Sequence, residues 1–236
     1  MIMQSKIYLE DMNFVAACSS IDWEKLRNKN ILVTGGTGLI GSTLINALLY
    51  ANDKKHLHLQ VVALVRNIEK ARTIFGEHNS LKLVVGTVEK LPDLDMPIDY
   101  IVHGASPTAS AFFVEHPVET IKTAVTGTIN LLEIAVQKCV QGFVYLSSME
   151  VYGAPHTDDV IPETQGTTVD TMSVRSCYPE AKRMCESLCA SYASEYKVPA
   201  MAIRLAQTFG AGVAADDVRV FAEFARCAMH LYLIHI

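Results

Sequence analysis

Thr34, Gly35, Gly36, Thr37, Gly38, Leu39, Ile40 and Gly41 follow directly on the apolar run beginning at Ile31 and lead directly into Leu39 to Tyr50, a stretch without a charge. A buried strand, a glycine turn and a helix start leave few folds open. Gly35 allows a tight turn, Gly38 lets backbone approach a ligand with no Cβ in the way, and Gly41 lets the helix pack onto the strand. The unpaired N–H groups at such a helix start favour a dinucleotide pyrophosphate, so Gly35, Thr37, Gly38, Leu39, Ile40 and Gly41 form the expected cofactor-binding run. An ordinary glycine-rich loop would lack the strand before and the helix after.

The rest of the chain repeats that alternation. Leu59 to Val65 is a second apolar strand, and Arg66 follows it. An acidic residue about 20 positions after the glycines would bind the ribose 2′-hydroxyl of NAD, whereas an Arg accommodates a 2′-phosphate. Arg66 therefore favours NADP over NAD, unless it is a solvated side chain opening the next helix. Leu81 to Val85 reads as a third strand and Tyr100 to His103 as a fourth, running into Gly104, Ala105 and Ser106, whose small side chains suit a loop lying against a nucleotide. A helix is expected over Val118 to Lys138, with Val118, Ile121, Val125, Leu132 and Ala135 along one face. Gly142 to Leu146 is a fifth strand with Ser147, Ser148, Met149 and Glu150 at its carboxyl end, the edge where ligands bind in open α/β sheets. Residues 153 to 176 form a long polar loop. Tyr178 to Lys197 is a helix with Ala181, Cys185, Leu188, Tyr192 and Tyr196 facing inward, Val198 to Arg204 a sixth strand, and Val218 to Met229 a last helix. Such alternation predicts an α/β fold: a doubly wound parallel sheet with helices on both faces.

Composition bounds the partners. Half of the 236 residues are apolar and the formal charge is -5, with both signs mixed along the chain. There is no basic stripe for nucleic acid and no polybasic membrane patch, so a small soluble ligand is expected. Asn30 to Asn52 has the length of a membrane span, but its glycine turn and its Thr, Ser and Asn residues argue for a buried strand, turn and helix. Lys6, Glu10 and Asp11 stand where a signal peptide needs its apolar core, which points to a cytoplasmic protein. The six cysteines show no CxxC pair and read as reduced thiols. Cys185 and Cys189, one helical turn apart, lack further ligands at metal spacing and read as small apolar residues, so no metal site is expected.

The TGxxGxxG run at Thr34 to Gly41, Ser148 followed by Glu150, Val151, Tyr152 and Gly153, and the YxxxK of Tyr178 to Lys182 occur in the order found in the extended short-chain dehydrogenase/reductases. The chain resembles that family's nucleotide-sugar epimerases, dehydratases and decarboxylases over about residues 29 to 229. Within it the likeness to UDP-glucuronate decarboxylases rests on His103 with Ala105, Ser106 and Pro107, on Arg175 to Arg183, on Gln207 to Gly210, and on Asp217, Arg219 and Val220. The resemblance implies an NAD(P)-binding Rossmann fold and a UDP-linked sugar handled through a 4-keto intermediate. It makes Tyr178 the general base and has Lys182 stabilise the phenolate and hold the nicotinamide ribose. Ser148 would orient the reacting oxygen, and Glu150 would serve as acid/base in the second step unless it is a structural carboxylate. It also implies cofactor contacts from Gly104, Ala105, Ser106, Tyr178 and Lys182, and substrate contacts from Ser106, Arg175, Gln207 and Arg219. A homodimer built from the two long helices is expected as well.

Departures from that pattern carry chemistry. Val65 and Arg66 replace the acidic strand end of NAD-using members. Met149 stands where similar decarboxylases carry a hydroxyl residue and dehydratases an Asp, and a thioether cannot donate a proton, which argues against dehydratase chemistry. Family members continue into a lobe that holds the nucleotide-sugar, whereas this sequence ends in HLYLIHI. The expected division is thus residues 1–29 as a helical extension packing through Ile7, Met12, Phe14, Val15 and Trp23, residues 30–229 as the NAD(P)-binding domain, and residues 230–236 as a short tail in place of the lobe. Weak or absent sugar turnover is the matching expectation. Two other readings stay open: an NADPH-dependent carbonyl reductase, which has no use for Glu150, and a truncated cofactor-binding protein without turnover.

Overall fold

A computed structural model describes residues 5–154, 160–166, 168–213, 217 and 219–230. Its strands are β1 (Asn30–Thr34), β2 (Gln60–Val65), β3 (Leu81–Val85), β4 (Tyr100–His103), β5 (Gly142–Ser148) and β6 (Ala200–Leu205). They form one sheet in the order β3-β2-β1-β4-β5-β6, every neighbouring pair parallel. Helices α1 (Lys6–Ala17), α2 (Leu39–Lys55), α3 (Ile68–Phe75), α4 (Ser110–Glu115), α5 (Pro117–Gln137), α6 (Cys177–Tyr196) and α7 (Val220–His230) complete the described chain. This is the doubly wound arrangement expected, with all six strands where the apolar runs placed them.

Both faces of the sheet are covered at β1 and β2, which explains why these strands are continuous apolar runs rather than alternating ones. Leu32, Val62 and Leu64 pack with Leu131, Leu132, Ala181 and Cys185 of α5 and α6. Ile31, Val33, Val61, Ala63 and Val65 pack on the other side with Ile45 and Leu49 of α2 and Ala71 and Phe75 of α3. The sheet reverses its winding between β1 and β4, where Thr34 lies in register with His103. The loops after those two strands therefore diverge and leave a crevice at the carboxyl edge.

Three helix faces differ from expectation. In α1 the buried side chains are Tyr8, Met12 and Ala16, whereas Ile7 and Phe14 are 65% and 77% exposed. Tyr8 wins the inner position because its hydroxyl accepts from Asn46 Nδ2 of α2 at 2.8 Å, a bond no aliphatic side chain offers. Met12, Val15 and Trp23 pack as expected. In α5 the inner face is Thr120, Ala124, Gly127, Thr128, Leu131, Leu132 and Ala135, while Val118 and Ile121 are 63% and 43% exposed. At Gly127 size decides the face: a Cβ there would sit 2.5 Å from the Val88 side chain, so the helix lies too close at that point for a larger residue. Along α6, Ala181, Cys185 and Cys189 face inward and Leu188 and Tyr192 pack at the margin, but Tyr196 is 52% exposed. The tail expected beyond His230 lies outside the described residues.

Candidate cofactor and catalytic site

The glycine turn is held by backbone contact. Gly35 has φ +72°, a conformation that favours glycine, and a Cβ there would sit 2.6 Å from the Gly104 carbonyl oxygen. A Cβ on Gly41 would sit 2.3 Å from the Gly35 oxygen, so the first turn of α2 rests on the glycine turn rather than on the strand before it. Gly38 differs: it caps α2 without a side-chain bond, and a Cβ there would meet only the Gly35 oxygen at 3.4 Å. Its surface is open toward a ligand. Thr37, Leu39 and Ile40 are half-buried around it. Across the crevice Ala105 N–H donates to Thr34 Oγ1 at 3.3 Å, and Ser106 Oγ is buried with no partner. An orphaned buried hydroxyl costs about 1–3 kcal/mol, a penalty an occupant with polar atoms removes. Free helix-start amides, the open face of Gly38 and the orphaned Ser106 fit a dinucleotide. Arg66 is exposed at the end of β2 and its charge also acts on Glu89. Burial works to raise that carboxyl, yet the Thr123 hydroxyl, backbone and Arg66 together hold it below its usual range.

Beneath the crevice His103 is buried. Its Nδ1 lies 2.8 Å from Thr34 Oγ1 and its Nε2 3.2 Å from Thr128 Oγ1 on α5. Thr34 already accepts from Ala105, and Thr128 donates to Ala124 O at 2.7 Å. The consistent assignment has the Thr34 hydroxyl donating to Nδ1 and the neutral imidazole donating from Nε2. Burial, helped by the Lys182 charge, holds the His103 pKa down to about 3. This chain of bonds fixes β1, β4 and α5 at the point where the cofactor loops begin.

The catalytic candidates gather at the end of β5 and the start of α6. Tyr178 and Lys182 lie one helical turn apart, and both are buried. Lys182 Nζ donates to Leu146 O at 2.7 Å and sits 5.7 Å from the centre of the Tyr178 ring. Burial pulls the Lys182 pKa down to about 8. Burial likewise pushes the Tyr178 phenol up; a hydrogen bond with Ser148 and the Arg175 charge oppose the rise, and Glu150 adds to it. Ser148 Oγ also accepts from Glu150 N at 3.2 Å, which starts the 3-10 turn Met149–Tyr152 and aims Glu150. Met149 is 42% exposed beside it. Thus Ser148, Glu150, Tyr178 and Lys182 come together as the motif spacing predicts.

Arg175 is placed differently. Its Nη2 lies 2.9 Å from both Glu150 carboxylate oxygens, so it holds that side chain. The pair lines a cleft of about 330 Å³ with Thr168, Asp170 and Ser173. Gln207 is exposed on the loop after β6, and Arg219 is held by Asp217 at 2.6 Å, with its Nη1 3.3 Å from Thr208 O. The structure does not bring those two to the Tyr178 cluster by any bond of their own.

Two features escaped the sequence. Phe113 of α4, 1% exposed, stacks on Tyr178 with ring centres 4.2 Å apart and 12° between planes. Nothing in the run Ala111 to Val114 signalled it. Glu186, one turn beyond Lys182, accepts from Ser147 Oγ at 2.6 Å and pairs with Arg204 at 2.8 Å, locking the ends of β5 and β6 to α6. Its spacing from Lys182 was the available signal. Among the described residues no cluster of three or more His, Cys, Asp or Glu side chains could hold a metal, and no helix is long and apolar enough to cross a membrane. All six cysteines are free, with Cys185 and Cys189 in the core.

Comparison with known proteins agrees with this geometry. The chain is 33% identical over 204 residues to UDP-glucuronic acid decarboxylase 6 of Arabidopsis thaliana, covering 86% of this chain and 57% of that protein. It therefore spans a little over half the length of that relative. Its fold matches UDP-glucose 4-epimerase of Thermotoga maritima, solved with UDP-glucose, at a TM-score of 0.70 and 23% identity over 88% of this chain and 65% of that one. It also matches dTDP-glucose 4,6-dehydratase of Bacillus anthracis, solved with NAD, at a TM-score of 0.64 and 20% identity, covering 86% and 62% of the two chains. Residues 31–231 match the NAD dependent epimerase/dehydratase family, and the chain belongs to that family.

Proposed function

We propose that this chain carries the cofactor-binding and oxidising half of an NAD(P)-dependent enzyme acting on a UDP-linked sugar, of the UDP-glucuronate decarboxylase or 4-epimerase type. The observation that carries the reading is the cluster of half-buried Ser148 with buried Tyr178 and Lys182 at the same sheet edge as the open face of Gly38. A bound NAD(P) would supply a reversible hydride acceptor. The residues to hold it are the amides from Gly35 to Gly41, the Gly104 to Ser106 loop, and Lys182.

Tyr178 is placed to take the proton of a sugar hydroxyl, with Ser148 sharing a hydrogen bond with the phenol and orienting the same oxygen. Lys182, buried beside the ring, favours the phenolate by its charge. Oxidation to a ketone acidifies the neighbouring C–H and makes a β-keto acid labile, so one intermediate serves decarboxylation or epimerisation. Glu150 is the acid/base for that second step. Ser106, Gln207 and Arg219 are proposed substrate contacts, and Arg175 is proposed to act on the substrate only through Glu150. Arg66, with no acidic residue at the end of β2, places NADP ahead of NAD. The same Arg66 also favours a second reading, an NADPH-dependent carbonyl reductase, which would consume its cofactor instead of recycling it. The exposed stripe on α5 and α6 supports a homodimer.

The test is a product assay by mass spectrometry on the full-length protein with UDP-glucuronate and UDP-glucose, alongside calorimetry with NAD and NADP. The expected result is a sugar product that disappears in Tyr178→Phe while cofactor affinity stays within a few-fold of the parent. Stoichiometric loss of NADPH would establish the reductase instead. Failure of both dinucleotides to bind would overturn the reading altogether.

A further inference from the structure

Arg175 is the central residue of a short 3-10 turn, Val174–Ser176, that runs directly into α6, and it touches two groups at once. Its guanidinium meets both oxygens of Glu150 at 2.9 Å and lies 4.8 Å from the centre of the Phe113 ring. Phe113 is stacked on Tyr178, and Cys177 Sγ donates to Phe113 O at 3.3 Å, which pins the end of α4 to the start of α6. Arginine suits this place in a way lysine does not: a planar guanidinium can lie on a ring and still present a fork to a carboxylate. The ion pair is only partly exposed, 37% at Arg175 and 33% at Glu150, so solvent screens it incompletely.

We propose that Arg175 is a positioning residue for both halves of the chemistry, holding the Glu150 carboxylate directly and the Tyr178 ring through Phe113, so that one cation sets the aim of the acid/base and the proton affinity of the base. The proposal rests on the reading of Tyr178 as the base, but its geometry does not depend on which sugar is bound. Arg175 and Glu150 act on the phenol with opposite signs. Glu150 raises the phenol's proton affinity and Arg175 opposes it. The other groups facing Tyr178 are Ser148 and Tyr145 of β5, and Lys182 and Cys177 of its own helix; Phe113 contributes no charge. Cys177 feels the same two charges with the same signs as Tyr178 does.

The experiment reads Tyr178 itself, without cofactor or substrate, so a failure of the sugar chemistry leaves it interpretable. Protein labelled with 3-fluorotyrosine, whose phenol ionises nearer neutrality, is titrated by ¹⁹F NMR, and the Tyr178 resonance is assigned by its loss in Tyr178→Phe. Arg175→Met is expected to move the Tyr178 midpoint upward and the isosteric Glu150→Gln to move it downward, each by about half a pH unit or more. Arg175→Lys is expected to recover only part of the Arg175→Met shift, because a charge without the planar stack leaves Phe113 unclamped. Should Arg175→Met not fold, Arg175→Gln takes its place in both comparisons. Shifts of the same sign in the Arg175→Met and Glu150→Gln proteins, or a midpoint unmoved by either, would overturn the proposal, as would complete recovery in Arg175→Lys.

Discussion

At the scale of single residues, the glycine turn separates what the fold needs from what the ligand needs. Gly35 combines a positive φ with a Cβ position 2.6 Å from the Gly104 oxygen, so Gly35→Ala forces β1 and β4 apart. It should lower stability by about 1–3 kcal/mol or more, read as a fall in the urea midpoint. Gly38 has no such constraint, since its Cβ would meet only an oxygen at 3.4 Å. Gly38→Val should therefore leave the urea midpoint nearly unchanged while abolishing dinucleotide binding, because its branches occupy the space where a pyrophosphate approaches the start of α2. Unchanged affinity by calorimetry in a folded Gly38→Val protein would place the cofactor elsewhere. Both roles were legible from the glycine spacing, because a missing Cβ is a property of sequence as much as of structure. The orphaned hydroxyl of Ser106 was legible only as a small residue after a strand, since its lack of a partner is a tertiary fact.

Elements tell the same story at a larger step. The six strands could be read in advance because a parallel sheet buried on both faces demands unbroken apolar runs, and Tyr178 with Lys182 because a spacing of four on a helix puts two side chains on one side. The inner face of α5 could not, because it runs through Thr120, Ala124 and Gly127, the last set by close packing against Val88, where hydropathy marks Val118 and Ile121. The Arg175–Glu150 pair was equally hidden: the two lie 25 residues apart on separate turns, and nothing local joins them. The bonds from β4 to β1 and α5 through His103 give this level its own prediction. His103 holds its pKa near 3 in the fold against 6.5 for an ordinary histidine. Between those values the unfolded chain binds the extra proton, so stability is present above pH 6.5 and is lost as pH falls toward 3. His103→Gln cannot ionise. It should cost stability at neutral pH through its poorer fit, yet lose less on acidification than the parent, so the two urea midpoints converge through the acid range. Parallel curves would show that His103 is not the group resisting protonation.

At the scale of the whole molecule, α5 and α6 present an exposed apolar surface. The inner face of α5 runs through Thr120, Ala124, Gly127 and Leu131, so Val118 and Ile121 fall outside it, 63% and 43% exposed, and Met184 on the neighbouring α6 is 52% exposed. Val125 continues the α5 stripe at a spacing of three and four, half-buried, and the charged Glu119 and Lys122 flank it. An apolar centre with a charged rim on two adjacent helices is what a two-fold axis needs, since each helix pair can meet its own copy in a four-helix interface. We expect a homodimer at micromolar concentration by light scattering, with an interface of about 1,600 Å² if it is of ordinary size. Ile121→Asp is the sharp test. A carboxylate buried without a partner costs about 3–5 kcal/mol, a two-fold axis applies the substitution twice, and each 1.4 kcal/mol is about tenfold in Kd. The variant should run as a monomer at concentrations where the parent is dimeric, while still binding dinucleotide, because Ile121 is an exposed side chain of α5 and no part of the glycine turn. A parent protein that is monomeric throughout, or an Ile121→Asp protein that stays dimeric, would assign the stripe to a different partner surface.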